Sequence, residues 1–278
     1  MKIMITGDMG FVGTHLKKLF KEDEYVPYDL KRGEDILDEK ELEKKMRGCD
    51  VVVHLAALTS ISQSWENPVL YYMNNVVGTS TVCEVAKKVG VKKIVFASSS
   101  SIYAATSSHY GISKLTDEAI LGTGRGDMAI VNLRFFNIYG MGQNPSYAGA
   151  IPSFFEGTNK GLITIYGDGL QTRDFIHVSD ICLAIKAAAE TETKDVLSID
   201  VGTGKPVSIK ELAYLIKGIT GSNCAIEYKP PRSEVRHSMA DIRLAKEVFK
   251  FRSKIELVDG INDLLAQTIQ LSGSLPKE

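Results

Sequence analysis

Apolar positions in the first half of the chain follow two alternating rhythms. Short β-rich runs occur at Lys2–Thr6, Tyr25–Tyr28, Val51–Leu55, Lys93–Ala97 and Ala129–Leu133. Between them, Phe11–Lys21, Glu39–Met46, Asn67–Lys88 and Gly111–Leu121 carry apolar residues near helical spacing. Strands alternating with such helices make βαβ units, so the pattern predicts an α/β fold with a doubly wound parallel sheet and helices on both faces. After Gly140 the rhythm changes: Gly142, Gly149, Gly157, Gly161, Gly167 and Gly169 punctuate it, with helical stretches near Val178–Glu190, Ser208–Gly218 and Asp241–Phe251. A smaller, loop-rich α/β lobe is expected there. The boundary falls near residue 140, giving 1–140 and 141–278, with segments of the second part returning to the first. The tail Ser272–Glu278 reads as frayed.

Length and composition narrow the function classes. The 278 residues suffice for about two domains, and 44% hydrophobic with 24% charged residues is ordinary globular usage. Lys+Arg 33 against Asp+Glu 34 leaves a net charge of -1, so no global basic field would hold nucleic acid or an anionic membrane. An anionic ligand must then be met by a local site. The opening strand-like run is too short for a signal segment or a membrane span, and a cytoplasmic protein is expected. Cys49, Cys83, Cys182 and Cys224 are widely spaced with no C-x-x-C pair; they read as buried small hydrophobes, and no metal site is expected.

Chemistry enters with three motifs. Gly7-Asp8-Met9-Gly10-Phe11-Val12-Gly13 follows the first strand and opens the first helix. Its glycines allow a tight turn and let backbone N–H groups approach a pyrophosphate at the helix N-terminus. Asp29 closes the second strand sixteen residues beyond Gly13, near the offset at which a carboxylate binds an adenosine ribose and repels a 2′-phosphate. Tyr110 and Lys114 stand four apart, on one face of a helix. A phenol with a pKa of about 10 serves as a base near neutrality only if nearby positive charge depresses it by roughly 3 pH units. Ser98-Ser99-Ser100-Ser101 adds hydroxyls at the carboxyl end of the fourth strand, where open α/β sheets bind ligands.

With these motifs the sequence resembles the extended short-chain dehydrogenase/reductase family, in its NAD-dependent sugar-nucleotide epimerase/dehydratase branch, and within it most closely the UDP-glucose 4-epimerases. The resemblance also rests on His54-Leu55-Ala56-Ala57, on Tyr71 to Thr79, on Leu133 to Gly140, on Gly167 to Asp180 and on Val201-Gly202-Thr203-Gly204, and so spans nearly the whole chain. It implies a Rossmann-type NAD-binding domain, a smaller C-terminal substrate lobe, a nucleotide-sugar substrate such as a UDP-hexose, and a homodimer formed through the helices near Asn67–Lys88 and Gly111–Leu121.

The resemblance further implies roles for single residues. Gly7, Gly10, Phe11, Val12 and Gly13 would cradle the NAD pyrophosphate, Asp29 the adenosine ribose, and Asp35 and Ile36 the adenine edge. Leu55, Ala56 and Ala57 would line the cofactor path, with Asn75 near the pyrophosphate. Ser99 matches the catalytic hydroxyl, Tyr110 the base, and Lys114 the lysine that binds the nicotinamide ribose. Asn137 would reach the sugar nucleotide and Arg173 its diphosphate, where a planar guanidinium suits phosphate oxygens. Arg232 fits the family's uridine-diphosphate arginine only with a gap, and Arg236 is the rival. Ser238 falls where a small residue leaves room for an N-acetyl group.

The chain also departs from the family. Only six residues, Ala104 to His109, separate Tyr103 from Tyr110, where the epimerases carry a longer segment beside the sugar. Thr116-Asp117-Glu118 spells a dehydratase string in the wrong place and reads as a solvated helix face. His54 reads as a packed histidine, Trp65 as a packing residue, and Ser179 or Asp180 as a helix N-cap. Besides the epimerase, two functions stay open: an NAD(P)-dependent 4-keto-sugar nucleotide reductase, and a catalytically silent Rossmann-type binding protein.

Overall fold

The computed structural model describes residues 1–21, 24–143, 149–232 and 234–272. Ser233 and residues 273–278 of the expected tail lie outside them, and Ser272 ends the last helix. The strands are β1 (Ile3–Thr6), β2 (Tyr25–Tyr28), β3 (Val51–His54), β4 (Lys93–Ser99), β5 (Ala129–Phe135), β6 (Asn137–Tyr139), β7 (Leu162–Tyr166), β8 (Thr172–His177), β9 (Val196–Val201), β10 (Pro206–Ser208) and β11 (Ala225–Lys229). The α-helices are α1 (Phe11–Leu16), α2 (Glu39–Met46), α3 (Ile61–Glu66), α4 (Pro68–Tyr71), α5 (Gly78–Val89), α6 (His109–Gly124), α7 (Ala150–Asn159), α8 (Val178–Glu190), α9 (Ile209–Thr220), α10 (Arg243–Phe249) and α11 (Leu257–Ser272). Two compact units result, one from 1–135, 181–201 and 242–251, the other from 136–180, 202–241 and 252–278.

The first unit holds an all-parallel six-stranded sheet in the order β2-β1-β3-β4-β5-β9. Strands covered on both faces must be apolar throughout, and the unbroken runs at β1 and β3 are buried at every position. The first five strands have the order of a 3-2-1-4-5-6 Rossmann sheet whose outermost strand has been removed, and β9 adds a sixth at the other edge. Strand order reverses at the β1/β3 pair, the switch point beside which such sheets bind ligands. A core of Met4, Tyr28, Leu42, Val52, Val82, Ile94 and Leu121 is buried. Lys93, itself buried, donates from Nζ to the carbonyls of Ala188, Ala189 and Thr191, meeting acceptors that the end of α8 cannot bond internally.

The single helix expected over Asn67–Lys88 is interrupted. After α4 the residues Tyr72–Val77 widen into π turns before α5 resumes, and this turns Asn75 inward. The helix expected over Phe11–Lys21 closes at Leu16 and tightens into a 3₁₀ turn at Lys17–Leu19. Trp65 is 56% exposed, edge-on to His109 at 4.7 Å between centroids, so the packing expected of it is a surface stack.

The second unit pairs β6 parallel with β8, β8 antiparallel with β10, and β7 parallel with β11. Ile151, Phe154, Ile163, Ile165, Leu212 and Ile216 form its core. Asp174, fully buried, accepts from the Thr203 and Gly204 amides, the Thr203 hydroxyl and the Ala240 amide. A Cβ on Gly202 would come within 2.7 Å of its Oδ2, which explains the glycine at that position. Helix α8 starts at Val178, so neither Ser179 nor Asp180 is its N-cap: His177 Nδ1 accepts from the Ser179 amide, and Asp180 accepts from the Lys254 and Ile255 amides. All four cysteines are buried and free.

Candidate active site

At the glycine turn the chain runs close to its own backbone. Gly7 is left-handed (φ 75°), and a Cβ there would lie 2.8 Å from the Ala56 amide. A Cβ on Gly13 would lie 2.3 Å from the Gly7 carbonyl. Neither position has room for any other side chain. The N-cap of α1 is Gly10, with no side chain closing the helix end. Asp29 is buried and fixed by two amides, Oδ2 accepting from Met9 (2.9 Å) and Oδ1 from Lys31 (2.8 Å). Ile36 is buried, and a Cβ on Gly78 would press on it at 2.4 Å, so Ile36 sits against α5. This cradle fits a dinucleotide: close backbone at the turn, an uncapped helix start, and a fixed carboxylate at the end of β2.

Asn75 is committed within the protein. Its Oδ1 accepts from the Leu58 amide (2.9 Å), and its Nδ2 donates to the Leu58 carbonyl (3.0 Å) and Ser113 Oγ (3.0 Å). It thus ties the loop after Leu55, Ala56 and Ala57 to the helix bearing Tyr110. His54 is packed as expected, bonded to the Thr6 hydroxyl at 2.7 Å and the Thr79 hydroxyl at 3.0 Å; burial pushes it down to about 3 and keeps it neutral.

Tyr110 and Lys114 lie in the first two turns of α6, whose N-cap Ser108 accepts from the Gly111 amide. The short segment after Tyr103 is why this helix starts where it does. Ser100–Ser107 coils into 3₁₀ turns so close to α6 that a Cβ on Gly111 would meet the Ser101 and Ala105 carbonyls at 3.0 Å. Ser99, at the end of β4, lies beside Tyr110; its Oγ donates to Ser101 Oγ and accepts from the Ser101 amide, both at 3.1 Å. Lys114 is buried, its Nζ 4.4 Å from the centre of the Phe96 ring and 4.0 Å from Asp117 Oδ2. Burial pushes Tyr110 up to about 12, Asp117 and Tyr71 push the same way, and the neighbouring Ser99 hydroxyl opposes them. Burial pulls Lys114 down, while Asp117 and Glu118 hold it up.

The string Thr116-Asp117-Glu118 is no solvated face. Asp117 is fully buried without a hydrogen-bond partner among the described residues, and desolvation pushes it up to about 6 against the pull of Lys114. Glu118 binds Arg134 through both oxygens and accepts from Ser98 Oγ at 2.5 Å. Helical periodicity missed this because the residues packed over that face, on β4, β5 and β9, are themselves polar. A carboxyl held near 6 rather than 3.8 keeps its proton longer in the folded chain. The stability it contributes is complete below about pH 4 and lost as pH rises through 6, on the order of 3 kcal/mol. Asp117→Asn is therefore expected to raise the melting temperature above pH 6 by several degrees, the gain vanishing toward pH 4; scanning calorimetry at both pH values checks it.

In the second unit the expected anion-binding arginines are engaged. Arg173 donates to the Thr172 and Val235 carbonyls and pairs with Glu234, and burial pulls its pKa down. Arg236 forms a two-pronged pair with Asp168, both distances 2.7 Å. The Arg232 guanidinium carbon stands over the Tyr166 ring, 3.4 Å from its centre. Asn137 opens β6, and Ser238 is half-buried. Among the described residues no cluster of three or more His, Cys, Asp or Glu could hold a metal, and no helix is long and apolar enough to cross a membrane.

A parallel sheet with a glycine turn at its switch point, Ser99 at the end of β4 and Tyr110 and Lys114 on α6 is the arrangement of the NAD-dependent short-chain dehydrogenase/reductase class. The profile of the NAD dependent epimerase/dehydratase family matches residues 3–202, and the chain belongs to that family. It is similar to a UDP-glucose 4-epimerase of Mycolicibacterium smegmatis, 32% identical over 76% of this chain and 74% of that one. It is also 29% identical to a UDP-N-acetyl-alpha-D-glucosaminuronate decarboxylase of Bacillus cytotoxicus, over 95% of this chain and 96% of that one. Among solved structures it is similar to MoeE5 in complex with UDP-glucose and NAD, with TM-score 0.89 and 31% identity, covering 99% of this chain and 100% of that one. The cofactor is accordingly NAD.

Proposed function

We propose that this enzyme is a homodimeric 4-epimerase of a UDP-hexose, UDP-glucose/UDP-galactose in the first instance. The observation that carries this is a buried trio, Ser99 at the end of β4 beside Tyr110, with Lys114 one turn along the helix that bears Tyr110. NAD held at the glycine turn would supply a reversible hydride acceptor for C4 of the sugar. Tyr110, once deprotonated, takes the proton of the 4-hydroxyl and later gives it back, while Ser99 donates a hydrogen bond to the same oxygen. Lys114 supplies positive charge on the phenol's face of the helix. In the second unit we assign the diphosphate to Arg173 and Arg232, with Arg236 held by Asp168. Asn137 is assigned to the sugar nucleotide, and Ser238 to tolerance of an N-acetyl group. An apolar strip of Ile61, Val69, Leu70, Met73, Val77 and Leu115, each more than 40% exposed, supports the dimer; a monomer mass by light scattering would remove it.

A decarboxylase of a UDP-linked uronic acid is the second reading, favoured by the UDP-N-acetyl-alpha-D-glucosaminuronate decarboxylase of Bacillus cytotoxicus and the UDP-glucuronic acid decarboxylase 1 of Arabidopsis thaliana among its relatives. Both reactions begin with removal of hydrogen at C4, so the product decides. We expect nicotinamide nucleotide to co-purify at near-equimolar level, as a cofactor regenerated in each turnover should. UDP-galactose is expected to form from UDP-glucose, with UDP-N-acetylgalactosamine also turned over. Release of carbon dioxide from UDP-glucuronate without epimerisation of any UDP-hexose would replace the epimerase by the decarboxylase, and a requirement for added NADPH would favour the reductase.

A further inference from the structure

The second residue of the glycine turn carries a group that the turn does not require. Asp8 is fully buried, and a carboxylate placed beside a pyrophosphate repels it unless a cation is held there as well. That cation is Arg32, whose Nη2 and Nε lie 3.1 and 3.4 Å from the two Asp8 oxygens. Arg32 stands three residues after Asp29, and dinucleotide-binding folds that use NADP accommodate its 2′-phosphate with an arginine near that acidic position. The loss of the outermost strand makes the pairing possible. With β2 at the sheet edge, the chain turns at once through Leu30–Arg32 and Gly33 (φ 80°), and this brings Arg32 back over the glycine turn. Neighbouring groups are also committed: Lys31 Nζ lies 3.3 Å from the Met9 carbonyl, and Glu34 accepts from the Asp29 amide and pairs with Lys45.

We propose that Asp8 is a cofactor-specificity residue: by holding Arg32 on the glycine turn it denies that guanidinium to a 2′-phosphate, so that Asp29 alone faces the adenosine ribose and NAD is chosen over NADP. The inference stands on family membership and on this geometry, and is independent of which sugar nucleotide is the substrate.

Binding of NAD and NADP to nucleotide-free protein, by calorimetry or quenching of tyrosine and tryptophan fluorescence, tests it. Wild type is expected to bind NAD at least tenfold more tightly than NADP. Asp8→Asn, which keeps the side-chain shape, is expected to shrink that ratio at least tenfold by tightening NADP, and Arg32→Ala added to it is expected to restore the preference. Arg32→Ala alone weakens both nucleotides and leaves their ratio within about threefold. The proposal is overturned if Asp8→Asn changes both affinities equally, if it stays folded by circular dichroism yet binds neither nucleotide, or if Arg32→Ala alone weakens NADP selectively. Should Asp8→Asn not fold, the single Arg32→Ala ratio decides the matter.

Discussion

Tyr110→Phe is expected to lower kcat by roughly a thousandfold while NAD remains bound at wild-type stoichiometry, since positioned acid–base groups contribute about 10²- to 10⁴-fold. The substitution removes one hydroxyl and keeps the buried ring. The chain by itself works against this base. Burial and the carboxyl of Asp117 push the phenol up to about 12, leaving on the order of one molecule in 10⁵ as phenolate at pH 7. Positive charge close to the hydroxyl must reverse this, and among this chain's own side chains Lys114 is the one placed on that face of α6. Because the active form is deprotonated, activity rises with pH on the acid side. Ser99→Ala removes the hydroxyl that holds the phenol's pKa down, so its acid limb should move to higher pH. Steady-state rates from pH 5.5 to 9, with extraction of bound nucleotide from each variant, give both results; a Tyr110→Phe enzyme keeping more than a tenth of wild-type kcat would exclude the phenol as the base.

The parts legible in the sequence are those where local pattern and tertiary role coincide. Continuous apolar runs marked β1 and β3 because a doubly covered parallel strand has no solvent face to encode. The glycine turn was legible because close backbone approach excludes every other side chain at Gly7 and Gly13. Polar residues buried against other polar residues were not. Glu118 looks like part of a solvated face until β4, β5 and β9 are laid over it with Ser98, Arg134 and Ser198, and no local periodicity records that assembly. The deleted sheet strand also left no local trace, since an absent βα unit shows only as a short connection between Asp29 and Asp35 whose consequence, Arg32 on Asp8, is tertiary. Arginine partners are invisible for the same reason: Arg173 meets Glu234 across sixty-one positions, and Arg236 meets Asp168 across sixty-eight.

The Glu118 cluster has the largest expected effect on stability. Glu118 binds the Arg134 guanidinium at 2.8 and 3.0 Å, and accepts from Ser98 at 2.5 Å and Ser198 at 3.3 Å. Arg134 reaches on to the Tyr103 hydroxyl at 3.1 Å, which donates to Asp200 at 2.5 Å. The chain of bonds joins α6 to β4, β5, β9 and the turns before Tyr110. Glu118→Ala leaves a guanidinium only 22% exposed without its counter-charge, and breaking such a pair from one side costs about 3 to 5 kcal/mol. The pair's net worth is smaller, because desolvating two charges offsets much of their attraction. A Glu118→Met/Arg134→Leu double variant, which removes both charges and restores volume, should therefore recover at least half of the loss. Urea denaturation of wild type, both single variants and the double variant measures this as a thermodynamic cycle. If the double variant were as unstable as the sum of the singles, the cluster would act as separate hydrogen bonds to the serines and Tyr103 rather than as a coupled ion pair. Ser98 adjoins Ser99, and Tyr103 opens the segment that seats α6, so a coupled cluster also predicts that Glu118→Ala lowers kcat at temperatures where the protein is still folded.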